Sequence, residues 1–379
     1  MFTEEALTRL RQAISDCTTR DARLLDQLRR EVGKLKSEVR VIKERQTTSV
    51  AMVASDGGNN RLTYDPFLIQ LVRVVDSLGK ELCLEAVSPT SDTDALSAQQ
   101  FDAAGEPVTA LGRLMRDVDV TDRRIYKLAY GSIPTPAEVA ADPVAHGSPG
   151  WVQTYRDIWE WATLYDRVVY HTFATDTLLV RDGLLRSKFI RPPYFTRMIA
   201  KMQEAVTRIE REDRRRVYLV GLAKHSLVIE RYRLAMTIEN VLPDGAPRFV
   251  VVPRDMEIAA YGWAEWVTDP NFSAGQLHLV RFGSRDGDPI WAVDILKGQE
   301  SRAGEILGYL MTDARDGFPI PFYPRCLQLA HEHAEVADWD LGLFQDTLID
   351  AVRALVPEAR RDAVDAHRLL PDMTGRRFA

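Results

Sequence analysis

Three acidic residues stand where carboxylates could do chemistry. Asp56 follows the apolar run Ser49–Ser55 and precedes Gly57-Gly58. Asp182 follows the run Asp176–Val180 and precedes Gly183. Glu160 lies on the helical stretch just before the Asp182 run. A carboxylate at a strand end, beside glycines that let a ligand approach the backbone, is placed to bind something in a crevice. Carboxylates that converge repel one another unless a cation neutralises them, and hard divalent ions prefer oxygen ligands. Each residue alone has a plainer reading: Asp-Gly is a common turn pair, and a helix glutamate is most often solvated.

Two later segments add weight. Gly221-Leu-Ala-Lys224-His225-Ser226 ends a strand run, and a lysine there can meet a phosphate as a point charge. The plainer reading is a surface lysine beside Ser226 capping a helix. In Phe322-Tyr323-Pro324…Ala330-His331, Pro324 suits a first helical turn. Tyr323 and His331 are about two turns apart, so they can share a helix face. That histidine could ligate metal or move a proton, or simply sit at a core edge. His331-Glu332-His333 is no zinc motif, because i and i+2 side chains diverge on a helix.

The elements that must position these residues follow from periodicity. Residues 4–45 read as an amphipathic helical arm, with Leu25, Leu28, Val32, Leu35, Val39 and Ile42 at heptad steps. It packs on its own domain, on a second copy, or on a partner or DNA. Strand runs at 49–55, 67–75 and 81–87 come next, then loop-rich sequence at 88–106 and at 133–150 around a short helix at 110–117. A helix at 150–170, a strand at 176–180, a helix at 194–213 and a strand at 217–221 follow. Strands near 249–252, 276–282 and 290–294 precede helices at 300–313, 323–337 and 341–355. This order predicts a mixed α/β sheet flanked by helices. It divides into a helical arm (1–47), a main domain (48–340) with a loop-rich insertion around 88–150, and a C-terminal helical extension (341–379).

Composition sets bounds. The 379 residues are 45% hydrophobic and 27% charged, ordinary globular values. A formal charge of −6 excludes a histone-like coat of positive charge but not a local basic groove. Cys17, Cys83 and Cys326 form no CxxC, so a disulfide framework or structural zinc site is not expected and a reducing cytoplasm fits. Neither a signal peptide nor a membrane span is expected. No Walker A pattern occurs, and no GxGxxG follows a strand.

Taken together, Asp56-Gly-Gly, Asp182-Gly-Leu-Leu, Gly221-Leu-Ala-Lys224-His-Ser226 and Tyr323-Pro…Ala330-His331 come in the order of the NurA family. The sequence resembles these DNA-end-processing nucleases over roughly residues 48–340. The resemblance implies an RNase H-like core and a metal-dependent exo- and endonuclease, with Asp56, Glu160 and Asp182 holding Mn²⁺ or Mg²⁺. Lys224, Tyr323 and His331 would line the site, His331 also as a possible ligand, and Asp166 is the alternative to Glu160. Two ions about 3.5–4 Å apart would activate water and stabilise the leaving oxygen. The implied partners are DNA, a second copy in a homodimer, and a HerA-like hexameric ATPase translocase, in DNA repair or phage defence. Arg186, Lys188, Arg191, Arg214 and Arg215 are candidate backbone contacts. The sequence departs from the family pattern at Gly58 and Leu184, which replace serines, and at His225, which replaces an aspartate. The alternative is a catalytically weak adaptor of a HerA-like ring.

Overall fold

A computed structural model describes residues 2–46, 50–64, 67–141, 150–262, 270–335, 338–362 and 364. Ser49, the expected loop residues 142–149, the helix end at 336–337 and the tail from 365 lie outside them.

The chain opens with α1 (Glu4–Gly33), a short 3₁₀ turn, and β1 (Arg40–Val41). Then come β2 (Val50–Tyr64), β3 (Phe67–Asp76) and β4 (Glu81–Val87). Four short helices follow: α2 (Thr93–Ala98), α3 (Ala110–Asp117), α4 (Ile125–Leu128) and α5 (Pro136–Ala141). Next are α6 (Gly150–Tyr170), β5 (Asp176–Asp182), α7 (Pro192–Glu212), β6 (Val217–Ala223) and α8 (Leu227–Ile238). The last part holds β7 (Arg248–Val251), α9 (Arg254–Tyr261), β8 (Gly275–Arg281) and β9 (Ile290–Leu296). It closes with α10 (Ala303–Ala314), α11 (Arg325–Ala334) and α12 (Asp338–Leu355).

The nine strands among the described residues form one mixed sheet in the order β1-β7-β8-β9-β6-β5-β2-β3-β4. Strands β2, β5 and β6 are parallel, while β3 and β4 run back antiparallel beside β2. Three antiparallel strands followed by two parallel to the first is the RNase H-like arrangement. Of these, β5 and β6 are mostly apolar and buried on both faces, as central parallel strands must be. One face is covered by α3, α6 and α7, where Trp161 is fully buried edge-on to Phe195 at 5.2 Å. The other carries α10 and α11.

Two expectations are corrected. The arm is not one helix to residue 45: α1 ends at Gly33, and a 3₁₀ turn and β1 follow. Its second half packs on its own domain, with Leu28, Val32 and Leu35 buried against α8, while Leu10 and Ile14 further out are exposed. The stretch 88–106 is not only loop, since Asp92 caps α2. Leu96 of α2 joins Leu111 and Leu114 of α3 in the core around α6.

His278 on β8 has no exposed surface, and its Nδ1 meets the Gln276 carbonyl at 2.9 Å. Burial lowers its pKa below the usual histidine value. The folded state therefore holds His278 neutral, and the unfolded chain binds an extra proton below about pH 6.5. Its stabilising effect is present above that pH and lost as pH falls. Unfolding midpoints of the parent at pH 7 and pH 5 should differ more than those of His278→Asn. Equal differences would contradict this.

Candidate active site

Asp56 does not follow its strand, as expected, but lies inside it. β2 pairs with β5 from Val50↔Asp176 to Ser55↔Arg181, then leaves β5 and continues alongside β3 to Tyr64. Asp56 is thus the first residue beyond the shared ladder. On the neighbouring strand Asp182 is likewise one residue beyond Arg181 and ends β5. Parallel strands lie about 4.8 Å apart, and in-register residues point to one face. The two aspartates therefore stand side by side.

Their face is the one covered by α11. His331 on α11 meets Asp56 Oδ2 through Nδ1 at 2.8 Å, and the Gly57 amide donates to Asp56 Oδ1 at 2.8 Å. Lys224, just past β6, reaches Asp182 Oδ2 at 3.1 Å and lies 5.1 Å from the centre of the Tyr323 ring. Tyr323 precedes α11 rather than sharing its helix, yet reaches the same cluster. Burial, then the charges of Asp182 and Asp56, push its phenol well above the usual range. Its buried hydroxyl makes no well-formed hydrogen bond among the described residues.

Glu160 comes from the opposite face. Its carboxylate lies against Gly57, where a Cβ would come within 2.4 Å of Oε1. It pairs with Arg181 at 3.3 Å and Arg156 at 3.4 Å. Burial raises its pKa, opposed by Arg181, and Asp56 is among the charges that add to the rise. Glu160 and Asp56 thus flank the same segment of β2 from its two faces. Asp166, further along α6, is held by Arg113 and by His171 at 3.4 Å, outside this cluster.

Two glycines make the arrangement possible. A Cβ at Gly58 would stand 2.3 Å from the Ala334 carbonyl oxygen, so α11 could not seat and His331 could not reach Asp56. Gly57 gives Glu160 its approach in the same way. The sequence pattern places the glycines but not the helix each of them admits.

Among the described residues no three His, Cys, Asp or Glu side chains gather closely enough to hold a metal ion unaided. Two adjacent carboxylates do suit one hard cation, which usually takes one or two carboxylates and completes its shell with water or phosphate. The orphaned Tyr323 hydroxyl beside them is a further oxygen. The donor set therefore fits a divalent ion such as Mn²⁺ or Mg²⁺.

The basic candidates divide. Arg186 is buried on Asp294 and Glu257 and cannot meet a phosphate. Arg191 donates to the Ala129 carbonyl. Arg214 and Arg215 are exposed before β6 begins, at the opposite end of the parallel β5–β6 pair from Asp182. Lys188 is exposed on the loop after β5. Sequence reasoning missed Arg181 and Asp157. The available signal was an arginine inside a buried apolar strand, with Asp157 and Glu160 at i, i+3 spacing on the preceding helix.

No family model and no curated protein matches the chain. Among solved structures it is similar to the NurA nuclease from Sulfolobus solfataricus, at 10% identity and a TM-score of 0.38, covering 92% of this chain and 98% of that one. It is also similar to a NurA crystal structure at 13% identity and TM-score 0.41, covering 93% and 99%. A NurA bound to dAMP and manganese aligns at 13% identity and TM-score 0.40, covering 93% and 98%. No helix among the described residues is long and apolar enough to cross a membrane.

Proposed function

We propose that this chain is a metal-dependent DNA nuclease of the NurA type, hydrolysing phosphodiester bonds. The observation that carries the reading is the pairing of Asp56 and Asp182 on one sheet face, with Lys224 and His331 bonded to them. Asp56 and Asp182 would hold Mn²⁺ or Mg²⁺, with Glu160 of α6, whose carboxylate lies against Gly57 from the other sheet face, as the third carboxylate. The bound ion supplies charge neutralisation at the phosphodiester and makes water more acidic. His331 holds the Asp56 carboxylate in place and can take or return a proton at its imidazole. Lys224 orients Asp182 and offers positive charge to a phosphate oxygen. The deep placement of Tyr323 keeps its phenol neutral, a hydrogen-bond donor rather than a base.

The HerA-like ATPase ring, the homodimer and a place in DNA end resection or phage defence belong to this proposal through the sequence resemblance. The exposed outer half of α1 offers a surface for such partners.

The test is cleavage of linear DNA by purified protein with Mn²⁺, against the same reaction with chelator. Degradation that requires the ion supports the reading, and its absence with folded protein overturns it. Lys224→Met should lower kcat about 10²–10³-fold, the cost typical of losing one preorganised charge donor. A parent-like kcat would remove Lys224 from the mechanism.

A further inference from the structure

Arg181 is the one arginine in the buried ladder of β5, and its guanidinium spans four groups. Nη1 donates to the Leu184 carbonyl at 3.1 Å. Nη2 meets Asp157 Oδ1 at 2.6 Å and Glu160 Oε2 at 3.3 Å, both from α6. The guanidinium also stacks over Trp161, 4.8 Å from the ring centre. The Leu184 carbonyl belongs to the turn that begins with Asp182 and Gly183. That turn is fixed at other points too: the Gly183 amide donates to Leu222 at 2.7 Å, and a Cβ on Gly221 would strike the Gly183 carbonyl at 2.4 Å. Gly183 itself has φ of +100°, and a Cβ there would come 2.7 Å from Arg181 Nη1. The glycine thus serves both the left-handed turn and the approach of the guanidinium.

We infer that Arg181 is the positioning residue of the Asp182 turn, clamping its backbone to the α6 carboxylates so that Asp182 stays beside Asp56. The guanidinium works from the face opposite to Lys224 and His331, and it meets the proposed ion site only through Glu160 and the backbone of the Asp182 turn. Asp157 anchors it and also holds Ser187 at 3.4 Å, whose hydroxyl accepts from the Phe189 and Ile190 amides. One carboxylate thus fixes both ends of the 183–190 loop. A lysine in place of Arg181 keeps the charge but is a point donor without the planar fork that reaches Leu184 and α6 together.

The catalytic consequence rests on the nuclease reading; the clamp does not. The experiment is amide hydrogen exchange of residues 183–187 in the parent, Arg181→Lys and Arg181→Met, beside kcat and KM on linear DNA with Mn²⁺. Exchange in the turn should rise tenfold or more in Arg181→Lys, while β6 exchanges as in the parent, and kcat should fall tenfold or more at unchanged KM. Arg181→Met should show the same pattern more strongly; if it fails to fold, Arg181→Lys decides. Unchanged exchange in the turn overturns the clamp, as does a parent-like kcat in an active protein. If the parent does not cleave DNA, the nuclease reading fails, and the exchange data still decide whether Arg181 holds the turn.

Discussion

Asp56→Asn and Asp182→Asn should each reduce Mn²⁺-dependent cleavage of linear DNA by more than about 10³-fold, roughly 4 kcal/mol of barrier at 1.36 kcal/mol per decade. Asparagine keeps the shape of the side chain and removes the charge that would hold a cation. Two carboxylates on adjacent registers of β2 and β5 repel each other; Lys224 offsets the charge of Asp182, and His331 hydrogen-bonds Asp56. Neutralising either aspartate relieves that repulsion, so the fold should survive, with circular dichroism and unfolding midpoint near those of the parent. The effect is then chemical rather than structural. Variants that cleave as fast as the parent would show that the two aspartates are only a polar seam between strands.

Arg186→Met should destabilise the protein by about 3–5 kcal/mol, the usual cost of leaving buried partner charges uncompensated. The Arg186 guanidinium makes a fork to Asp294, with Nε and Nη2 each 2.9 Å from one carboxylate oxygen, and Nη1 reaches Glu257 at 2.6 Å. Asp294 has no exposed surface. Burial disfavours the charge on Arg186, but Asp294 and Glu257 outweigh it and hold the pKa above its ordinary value. Planar bidentate pairing of this kind is stronger and more directional than a lysine contact. The cluster ties the loop after β5 to β9 and α9, so its loss should loosen three elements together. Combining Arg186→Met with Asp294→Asn and Glu257→Gln should recover part of the stability, because no unpaired buried charge then remains. Urea unfolding of the single and triple variants checks both statements. A single variant as stable as the parent would contradict the first.

Much of the scaffold was legible because the periods are strong. The apolar positions of 150–170 and the alternation in 81–87 mark α6 and β4 at their observed bounds. The order of strands and helices was enough for a mixed sheet flanked by helices. Asp56 shows where local composition misleads. Asp-Gly-Gly-Asn-Asn has the residues of a turn, but β2 runs straight through it because ten antiparallel pairs with β3 satisfy its backbone. The glycines serve approach rather than turning: one admits Glu160 and the other the end of α11. Side chains that act through long-range partners were harder to read. Arg186 sits in a basic stretch that suggests phosphate contact, and only the fold brings Asp294, over a hundred residues away, onto its fork. Arg181 was hidden in the same manner, since its meaning depends on the face of α6 that packs over β5.

Mn²⁺ binding measured by titration calorimetry on the parent and on Asp182→Asn reaches the central claim without passing through catalysis. The parent should bind the ion with a saturable isotherm, and Asp182→Asn should lose that isotherm at the same protein concentration while keeping its unfolding midpoint. Equal Mn²⁺ binding by both proteins would contradict the claim that Asp56 and Asp182 together make the cation site.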